Sequence, residues 1–227
     1  MNLSGVKKAF VLFAILIMPS IAYLYLRTGK NNYTKLAVFG PKEVAMEAQN
    51  GLNRGDTIYH HIADFTFTSQ DGNPFGLKDL DGKIFVANFF FTTCQSICPK
   101  MSGQLYRVQE KFPAMRDLRL VSFSVDPERD TVKALQAYAK KFMVNAWKWK
   151  LLTGNKKDIY NLSRTSFFAV TSEGDGGPDD FIHSDKLVLI DKDKRIRGIY
   201  DGTDYKEVDR LIDEIKVLSV ECKSEGK

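Results

Sequence analysis

Cys94 and Cys98 are separated by three residues in the segment FTTCQSICPKM (91–101). On a helical turn this spacing puts two side chains on one face, with Cα atoms about 6 Å apart. Two thiols at that distance can form a disulfide or bind one metal ion, because thiolate is both a nucleophile and a soft ligand. Pro99 suits the first turn of a helix, where unpaired N–H groups favour a thiolate. The alternative is a pair of buried apolar cysteines, since free cysteine is among the most buried residue types.

His183 is the third candidate residue, because it lies between an acidic, glycine-rich run (172–180) and an apolar run (187–190). Two thiolates and one imidazole suit copper, as Cu(I) or Cu(II). Structural zinc takes four protein ligands, and the sequence offers no fourth. The alternative is a hydrogen-bonded structural histidine at the entrance to a strand.

The elements that must position these residues follow from hydrophobic periodicity. Residues 84–91 (IFVANFFF) are nearly all apolar and β-prone, as in a strand buried on both faces. Residues 205–218 carry an apolar stripe at helical spacing. The predicted strands cover residues 64–68, 84–91, 118–125, 187–190 and 196–200, and the predicted helices cover residues 99–112, 131–142, 156–162 and 205–218.

The order of these elements contains a βαβ unit followed by a ββα unit. This is the thioredoxin arrangement, an α/β fold with a central mixed sheet flanked by helices. In open α/β sheets, sites form outside the carboxyl ends of strands, and the first strand-to-helix junction holds Cys94 and Cys98. The start of strand 187–190 faces that junction, so we expect His183 to lie across from the cysteines.

The N-terminus carries an uncharged run of eighteen residues, 9–26. As a helix it spans about 27 Å, just enough for the hydrocarbon core of a membrane. Lys7 and Lys8 precede the run and favour a cytoplasmic amino end. We expect a transmembrane anchor over residues 1–30; the alternative is a signal peptide cleaved after the small-x-small motif SIA (20–22). Either interpretation puts the rest of the chain outside the cytoplasm.

Charge and composition narrow the function further. The chain has 227 residues, 33 of them Lys or Arg; four of these lie in residues 1–30, which leaves 29 against 28 acidic residues. A domain with nearly equal numbers of basic and acidic residues does not indicate nucleic-acid binding. Three cysteines are too few for a fold held together by disulfides. The predicted organisation is a membrane anchor at 1–30, a tether at 31–60 that merges into the domain, a thioredoxin-like copper-binding domain at 61–222 and a disordered tail at 223–227.

Three segments, FTTCQSICPKM (91–101), VSFSVDPERDT (121–131) and FIHSDKLVLID (181–191), resemble the Sco/SenC family. The resemblance extends over about residues 36–218. It implies a thioredoxin-like copper protein held by a single span in the bacterial inner membrane, with its domain facing the periplasm. It also implies a role in assembling the binuclear copper centre in subunit II of cytochrome c oxidase.

The same resemblance implies roles for individual residues. Cys94, Cys98 and His183 are then the copper ligands. Asp126, from the Asp-Pro pair, lies near the site in the family and tunes it; alternatively it is a turn residue that ends a strand. Cys222 is not part of the family motif, and we interpret it as incidental, at the frayed end of the last helix.

Two functions remain open, and with them the question of whether the chain is an enzyme. The first is a metallochaperone that docks on oxidase subunit II, or on an assembly intermediate, and passes copper by ligand exchange. The second is a thiol-disulfide oxidoreductase that keeps the copper-site cysteines of the oxidase reduced: Cys94 attacks a partner disulfide and Cys98 resolves the mixed disulfide. A copper donor or a thiol reductant is a further candidate partner. A peroxidase of the peroxiredoxin kind is disfavoured. Such a peroxidase usually has a threonine three residues before its reactive cysteine, and this chain has Phe91 at that position before Cys94.

Overall fold

The computed structural model describes residues 3–28, 35–46, 53–169 and 184–224. The chain divides into two compact units, Met1–Thr34 and Lys35–Lys227.

Helix α1 (Leu3–Thr28) lies in the first unit and contains Pro19. Several of its large apolar side chains are exposed, among them Phe10, Met18 and Ile21. Among the helices that the structure describes, none is long and apolar enough to cross a membrane. The transmembrane anchor expected over residues 1–30 therefore stays a prediction.

The second unit contains the remaining helices and strands. In chain order they are β1 (Lys42–Val44), β2 (Thr57–Tyr59), β3 (Thr66–Ser69), β4 (Pro74–Gly76), a short 3-10 helix (Leu77–Leu80), β5 (Ile84–Phe90), α2 (Ile97–Lys111), β6 (Leu118–Ser124), α3 (Val132–Lys141), β7 (Trp149–Thr153), α4 (Lys156–Thr165), β8 (Lys186–Ile190), β9 (Ile196–Asp201) and α5 (Tyr205–Ser224).

Seven of these strands form one sheet in the order β4-β3-β7-β6-β5-β8-β9, and β1 pairs with β2. Strands β5, β6 and β7 are parallel neighbours, whereas β3 and β8 join them antiparallel and β9 pairs antiparallel with β8. The unit β5-α2-β6, followed later by β8-β9-α5, is the predicted thioredoxin arrangement. A mixed α/β fold with a central sheet flanked by helices is thereby confirmed.

Strand β5 is the centre of the core, and all seven of its residues are buried. Val86 and Phe90 face the core cluster that contains the apolar sides of α2, α3 and α5. Phe85 and Phe89 face the other cluster, which contains the apolar side of α4. This alternation follows from the two-residue period of a strand, and burial on both faces explains the nearly continuous apolar run. The carboxyl end of β5 is therefore a rigid base for the segment that carries the cysteines.

Periodicity does not predict strand β7 (Trp149–Thr153), which lies between β3 and β6. The strand is short, and lysines precede and interrupt it. Lys148 is nevertheless buried, because its ammonium group donates to the backbone oxygens of Phe112 and Met115 beyond the end of α2. Only the tertiary structure supplies these acceptors, so the local pattern gives no sign of the strand.

Two regions differ from the sequence-based expectation near the chain ends. The range predicted as a tether, 31–60, contains β1 and β2, and Phe39 N–H donates to the oxygen of Ile196 on β9 at 2.9 Å. Helix α5 continues past residue 218 to Ser224, so Cys222 lies half-buried within the helix and the prediction of a frayed end is wrong. The loop predicted at 172–180 lies outside the described residues.

Candidate metal centre

The two cysteines occupy the junction between β5 and α2, as the sequence predicts. Cys94 lies in the turn that precedes the helix, where its N–H donates to the oxygen of Phe91 at 3.3 Å. Cys98 lies in the first turn of α2, which follows the N-cap residue Ser96 and includes Pro99. The two cysteines therefore do not lie on the same helical turn. Cys94 belongs to the loop before α2, and Cys98 belongs to the helix.

The sulfur of Cys94 acts as a capping acceptor at the amino end of α2. The side chain of Ser96 makes no capping hydrogen bond, and the N–H of Cys98 instead donates to Cys94 Sγ at 3.4 Å. The first N–H groups of a helix have no partner within the helix, so an acceptor at this position satisfies one of them. An ionised sulfur is the stronger acceptor, and it also benefits from the helix dipole.

The two thiols differ in how readily they ionise. Burial opposes ionisation of Cys94, but hydrogen bonds from Cys98 and Ser96 to its sulfur outweigh burial and hold its pKa below the ordinary thiol value. Burial raises the pKa of Cys98 to about 12, and the neighbouring Cys94 and Asp130 add to the rise. Side-chain exposure follows the same order, since Cys94 is 8% exposed and Cys98 2%. Cys94 is thus the more acidic and the more exposed of the two thiols.

Tyr138, from helix α3, closes the inner side of the site. Its hydroxyl lies 2.7 Å from Ser102 Oγ and donates to the oxygen of Cys98 at 3.5 Å. Its ring packs against Phe90 with centroids 5.0 Å apart. Burial raises the pKa of Tyr138, so the phenol stays neutral and polar contacts fix it beside the first turn of α2.

Asp130 is the residue of this region that sequence reasoning missed. Its carboxylate is fully buried and accepts hydrogen bonds from the N–H and Oγ1 of Thr92, two residues before Cys94. The sequence offers one signal, since Asp130 closes the run VDPERD, whose first acid is the predicted residue Asp126. Nothing in that run distinguishes the two aspartates before the fold is known.

Asp126 is also buried, but its carboxylate contacts Arg129 rather than the cysteine turn. Its carboxylate lies 3.5 Å from Arg129, and its N–H donates to Ser124 Oγ at 3.2 Å. No described hydrogen bond joins it to either cysteine. The expectation that Asp126 tunes the site therefore stays a prediction.

His183 lies outside the described residues, which resume at Ser184. Ser184 donates to the oxygen of Ala169 at 2.7 Å and precedes β8. Strand β8 runs antiparallel to β5, with Phe85 opposite Ile190 and Ala87 opposite Val188, so β8 begins at the end of the sheet where β5 finishes. Within the described parts of the chain, no group of three or more His, Cys, Asp or Glu side chains is arranged to hold a metal ion.

Comparison with known proteins gives a consistent family. The family model described as SCO1/SenC matches residues 55–219. The SCO1 protein homolog of Bacillus subtilis (strain 168) is 33% identical over 174 residues, which are 76% of this chain and 90% of that protein.

Solved structures extend the similarity to the fold. BsSco, described as a member of the Sco family of cytochrome c oxidase assembly proteins in which a disulfide switch was identified, has a TM-score of 0.61 and 33% identity over 71% of this chain and 95% of its own. ScoI of Arabidopsis thaliana, solved with copper bound, has a TM-score of 0.54 and 29% identity over 67% of this chain and 94% of its own.

Proposed function

Because the chain belongs to the SCO1/SenC family, we propose that it binds one copper ion through Cys94, Cys98 and His183 and delivers that ion to the binuclear copper site of cytochrome c oxidase subunit II. Copper is cargo in this proposal. The observation that carries it is the pair of thiols at the carboxyl end of β5, one of which accepts a hydrogen bond from the backbone N–H of the other. A relative of 29% identity has been solved with copper bound, and another relative belongs to a family of oxidase assembly proteins.

The donor set suits copper that must later be released. Thiolate is a soft ligand for Cu(I), and imidazole binds either oxidation state. The pKa of Cys94 is lowered, whereas the raised pKa of Cys98 keeps that thiol protonated at neutral pH, so copper binding to both sulfurs releases at least the proton of Cys98. A site of three protein ligands would hold copper less tightly than a closed four-ligand cage, so an incoming ligand of the acceptor could begin the exchange.

Thiol-disulfide exchange is the second candidate, and the unequal thiols favour it. The Cys94 thiolate attacks a disulfide of the partner and forms a mixed disulfide while one partner thiolate leaves. Cys98 then loses its proton and attacks Cys94 Sγ, which forms the Cys94–Cys98 disulfide and releases the second partner thiol. The partner is reduced by two electrons, and this pair is oxidised by two. The oxidase cysteines would then be kept ready for copper.

For location, we propose that residues 1–30 attach the chain to the bacterial inner membrane, with the copper domain on the periplasmic side. The support is the uncharged run 9–26 and the basic pair Lys7 and Lys8 before it. Carbonate extraction of membranes from cells that express an N-terminally tagged chain tests this. Retention of the tagged protein in the pellet is expected, and release into the supernatant or loss of the tag contradicts an anchor.

Copper transfer in vitro tests the function. The full chain, loaded anaerobically with Cu(I), is mixed with an apo fragment of oxidase subunit II, and the copper content of both proteins is measured after separation. We expect transfer from the wild-type chain and little from His183→Ala. A parallel assay follows reduction of a disulfide-oxidised subunit II fragment by the reduced chain, which should survive His183→Ala. Equal copper transfer by both chains contradicts the three-ligand carrier and favours the oxidoreductase.

A further inference from the structure

Asp130 is a buried carboxylate in a place where burial of a charge is expensive. It is 0% exposed, and the described donors to its oxygens are neutral groups of Thr92 and Ser124. Among the ion pairs that the structure describes, none includes Asp130. Burial raises its pKa, against the lowering effect of bonds from Ser124 and Thr92. A carboxylate kept in such a place without a cation needs a reason.

Its hydrogen bonds point to that reason, because they join two turns at the end of the sheet. Thr92, in the cysteine turn, donates to Asp130 from its N–H at 3.1 Å and from Oγ1 at 2.5 Å. Ser124, at the end of β6, donates from Oγ at 2.5 Å. Two donors from one residue fix both the backbone and the side chain of Thr92.

The carboxylate of Asp130 links the chain segments after β5 and β6 beyond the point where the two strands stop pairing. The last backbone bond between the two strand ends runs from Val125 N–H to the oxygen of Phe90 at 2.9 Å. Beyond Phe90 the chain leaves the sheet. Thr92, two residues after Phe90, is held by its hydrogen bonds to the carboxylate of Asp130. Cys94 follows two residues later, so the orientation of its sulfur toward Cys98 N–H depends on the path of this turn.

We propose that Asp130 is a positioning residue, which holds the turn through Thr92 so that Cys94 Sγ stays aimed at the amino end of α2 beside Cys98. The proposal rests on the proposed function of the cysteine pair in copper binding. It assigns Asp130 no contact with copper and no proton transfer. Outer groups that orient ligands in this way commonly affect metal affinity by about 10- to 100-fold.

Four variants of the full chain, made in a Cys222→Ser background, test the proposal. Asp130→Ala removes the acceptor, and Thr92→Val removes the Oγ1 donor without changing the size of the side chain. Asp130→Asn keeps an oxygen acceptor and is the conservative rescue. Ser122→Ala is the matched control, because Ser122 is a buried serine on β6 whose Oγ donates to Asn88, away from the cysteine turn.

Three readouts are measured on each variant: Cu(I) affinity by competition with a chelator, the rate of Cys94 alkylation at pH 7, and the position of the Cu(II)-thiolate absorption band. We expect Asp130→Ala and Thr92→Val to weaken copper about tenfold and to slow alkylation several-fold. Asp130→Asn should restore most of both, and Ser122→Ala should change neither. The Cu(II)-thiolate absorption band should shift in the first two variants alone.

The outcomes separate this proposal from the function on which it rests. If Asp130→Ala does not fold, Thr92→Val decides, and unchanged copper affinity and alkylation in folded Thr92→Val overturn the positioning role. If the wild-type chain binds no copper, the proposed function fails, and alkylation alone decides whether Asp130 holds the turn. If copper affinity and alkylation rate fall as far in Asp130→Asn as in Asp130→Ala, the positioning role is also overturned. The effect would then come from the negative charge of Asp130 and not from its hydrogen bonds.

Discussion

Two aspartates, Asp130 and Asp191, lie fully buried at opposite ends of the central sheet and are held in opposite ways. Asp191 follows β8 at the turn of the β8–β9 hairpin, where its carboxylate lies 2.9 Å from Arg195 Nε and 3.1 Å from Arg197 Nη1. Asp130 lies at the cysteine end, where the donors that the structure describes are the N–H and hydroxyl of Thr92 and the hydroxyl of Ser124.

The hairpin end is a compensated charge cluster that ties the chain together. Arg197 also pairs with Glu221 of α5 at 2.6 Å and donates to the oxygens of Leu36 and Ala37 at 2.6 and 3.2 Å. It thus joins α5, the hairpin and the segment before β1. Each buried charge has a partner of opposite sign, as a structural role requires.

Among the residues that the structure describes, none places a cation beside the buried carboxylate of Asp130 at the cysteine end. Its carboxylate and two thiols are buried together, and the pKa of Asp130 and of Cys98 is raised by burial. Groups whose pKa is displaced by burial and by each other concentrate at functional sites. A charge-matched end thus lies opposite the end for which we propose copper binding or disulfide exchange.

The largest expected effect is at the hairpin end. Arg197→Met removes a buried cation that pairs with both Glu221 and Asp191, so the free energy of unfolding should fall by about 3–5 kcal/mol. Urea denaturation measures it, with Lys216→Met as the control, since Lys216 pairs with Asp213 on the exposed face of α5 and should change stability by less than about 0.5 kcal/mol. Copper affinity of the folded protein should stay the same. A shift in that affinity, or a loss below about 1 kcal/mol, would remove the distinction between the two ends.

Thiol reactivity gives the next effect. At pH 7 we expect iodoacetamide to label Cys94 more than tenfold faster than Cys98, because the pKa of Cys94 is lowered and that of Cys98 is about 12. Cys222, near the hairpin end, has its pKa raised by burial and should also react more slowly than Cys94. Peptide mass spectrometry over a time course gives the three rates. Equal rates for Cys94 and Cys98 would show that the turn does not activate Cys94.

The pH dependence of stability should report the uncompensated charge of Asp130. Its pKa in the folded state is raised from 3.8, so the folded protein holds this proton more tightly than the unfolded chain does. The resulting stabilisation is complete below about pH 3.8 and is lost as pH rises through the folded pKa. The unfolding free energy of wild type minus that of Asp130→Asn should therefore fall as pH rises from 4 to 7. A flat or rising difference in denaturation series would contradict the burial of an unmatched carboxylate.

The smallest effect is expected at Cys222. The thiol is half-buried on α5, and the conservative change Cys222→Ser should alter the free energy of unfolding by about 1 kcal/mol or less. Copper stoichiometry and affinity should not change, because the residue belongs to the hairpin end. Calorimetric unfolding and copper titration of this variant check both points. A lost equivalent of copper would place a metal-binding thiol at the structural end.

The sequence predicts the parts of this comparison that depend on local pattern. The apolar run of β5 and the Cys-x-x-x-Cys-Pro junction were enough to place Cys94 and Cys98 at a strand-to-helix turn, because a doubly buried strand and a proline-started helix each leave a local signature. The order of elements was enough to predict the mixed sheet, although it lacked the short strand β7.

Contacts between distant segments could not be predicted in the same way. Asp130 and Asp126 stand four residues apart in one polar turn, and only the path of the turn decides that Asp130 meets Thr92 while Asp126 meets Arg129. Arg197 looks like a surface residue of a hairpin until Glu221 and the segment at Leu36 close over it. A buried charge is recognised from its partners, which lie far away in sequence.

Anaerobic Cu(I) titration of the full chain carrying Cys222→Ser, with and without His183→Ala, tests the central claim most directly. The two sulfurs from the cysteine turn and the imidazole nitrogen should bind one copper ion per chain, and loss of the imidazole should weaken binding by about tenfold or more. The same affinity in both proteins would contradict a three-ligand copper carrier and leave dithiol exchange as the function of the cysteine end.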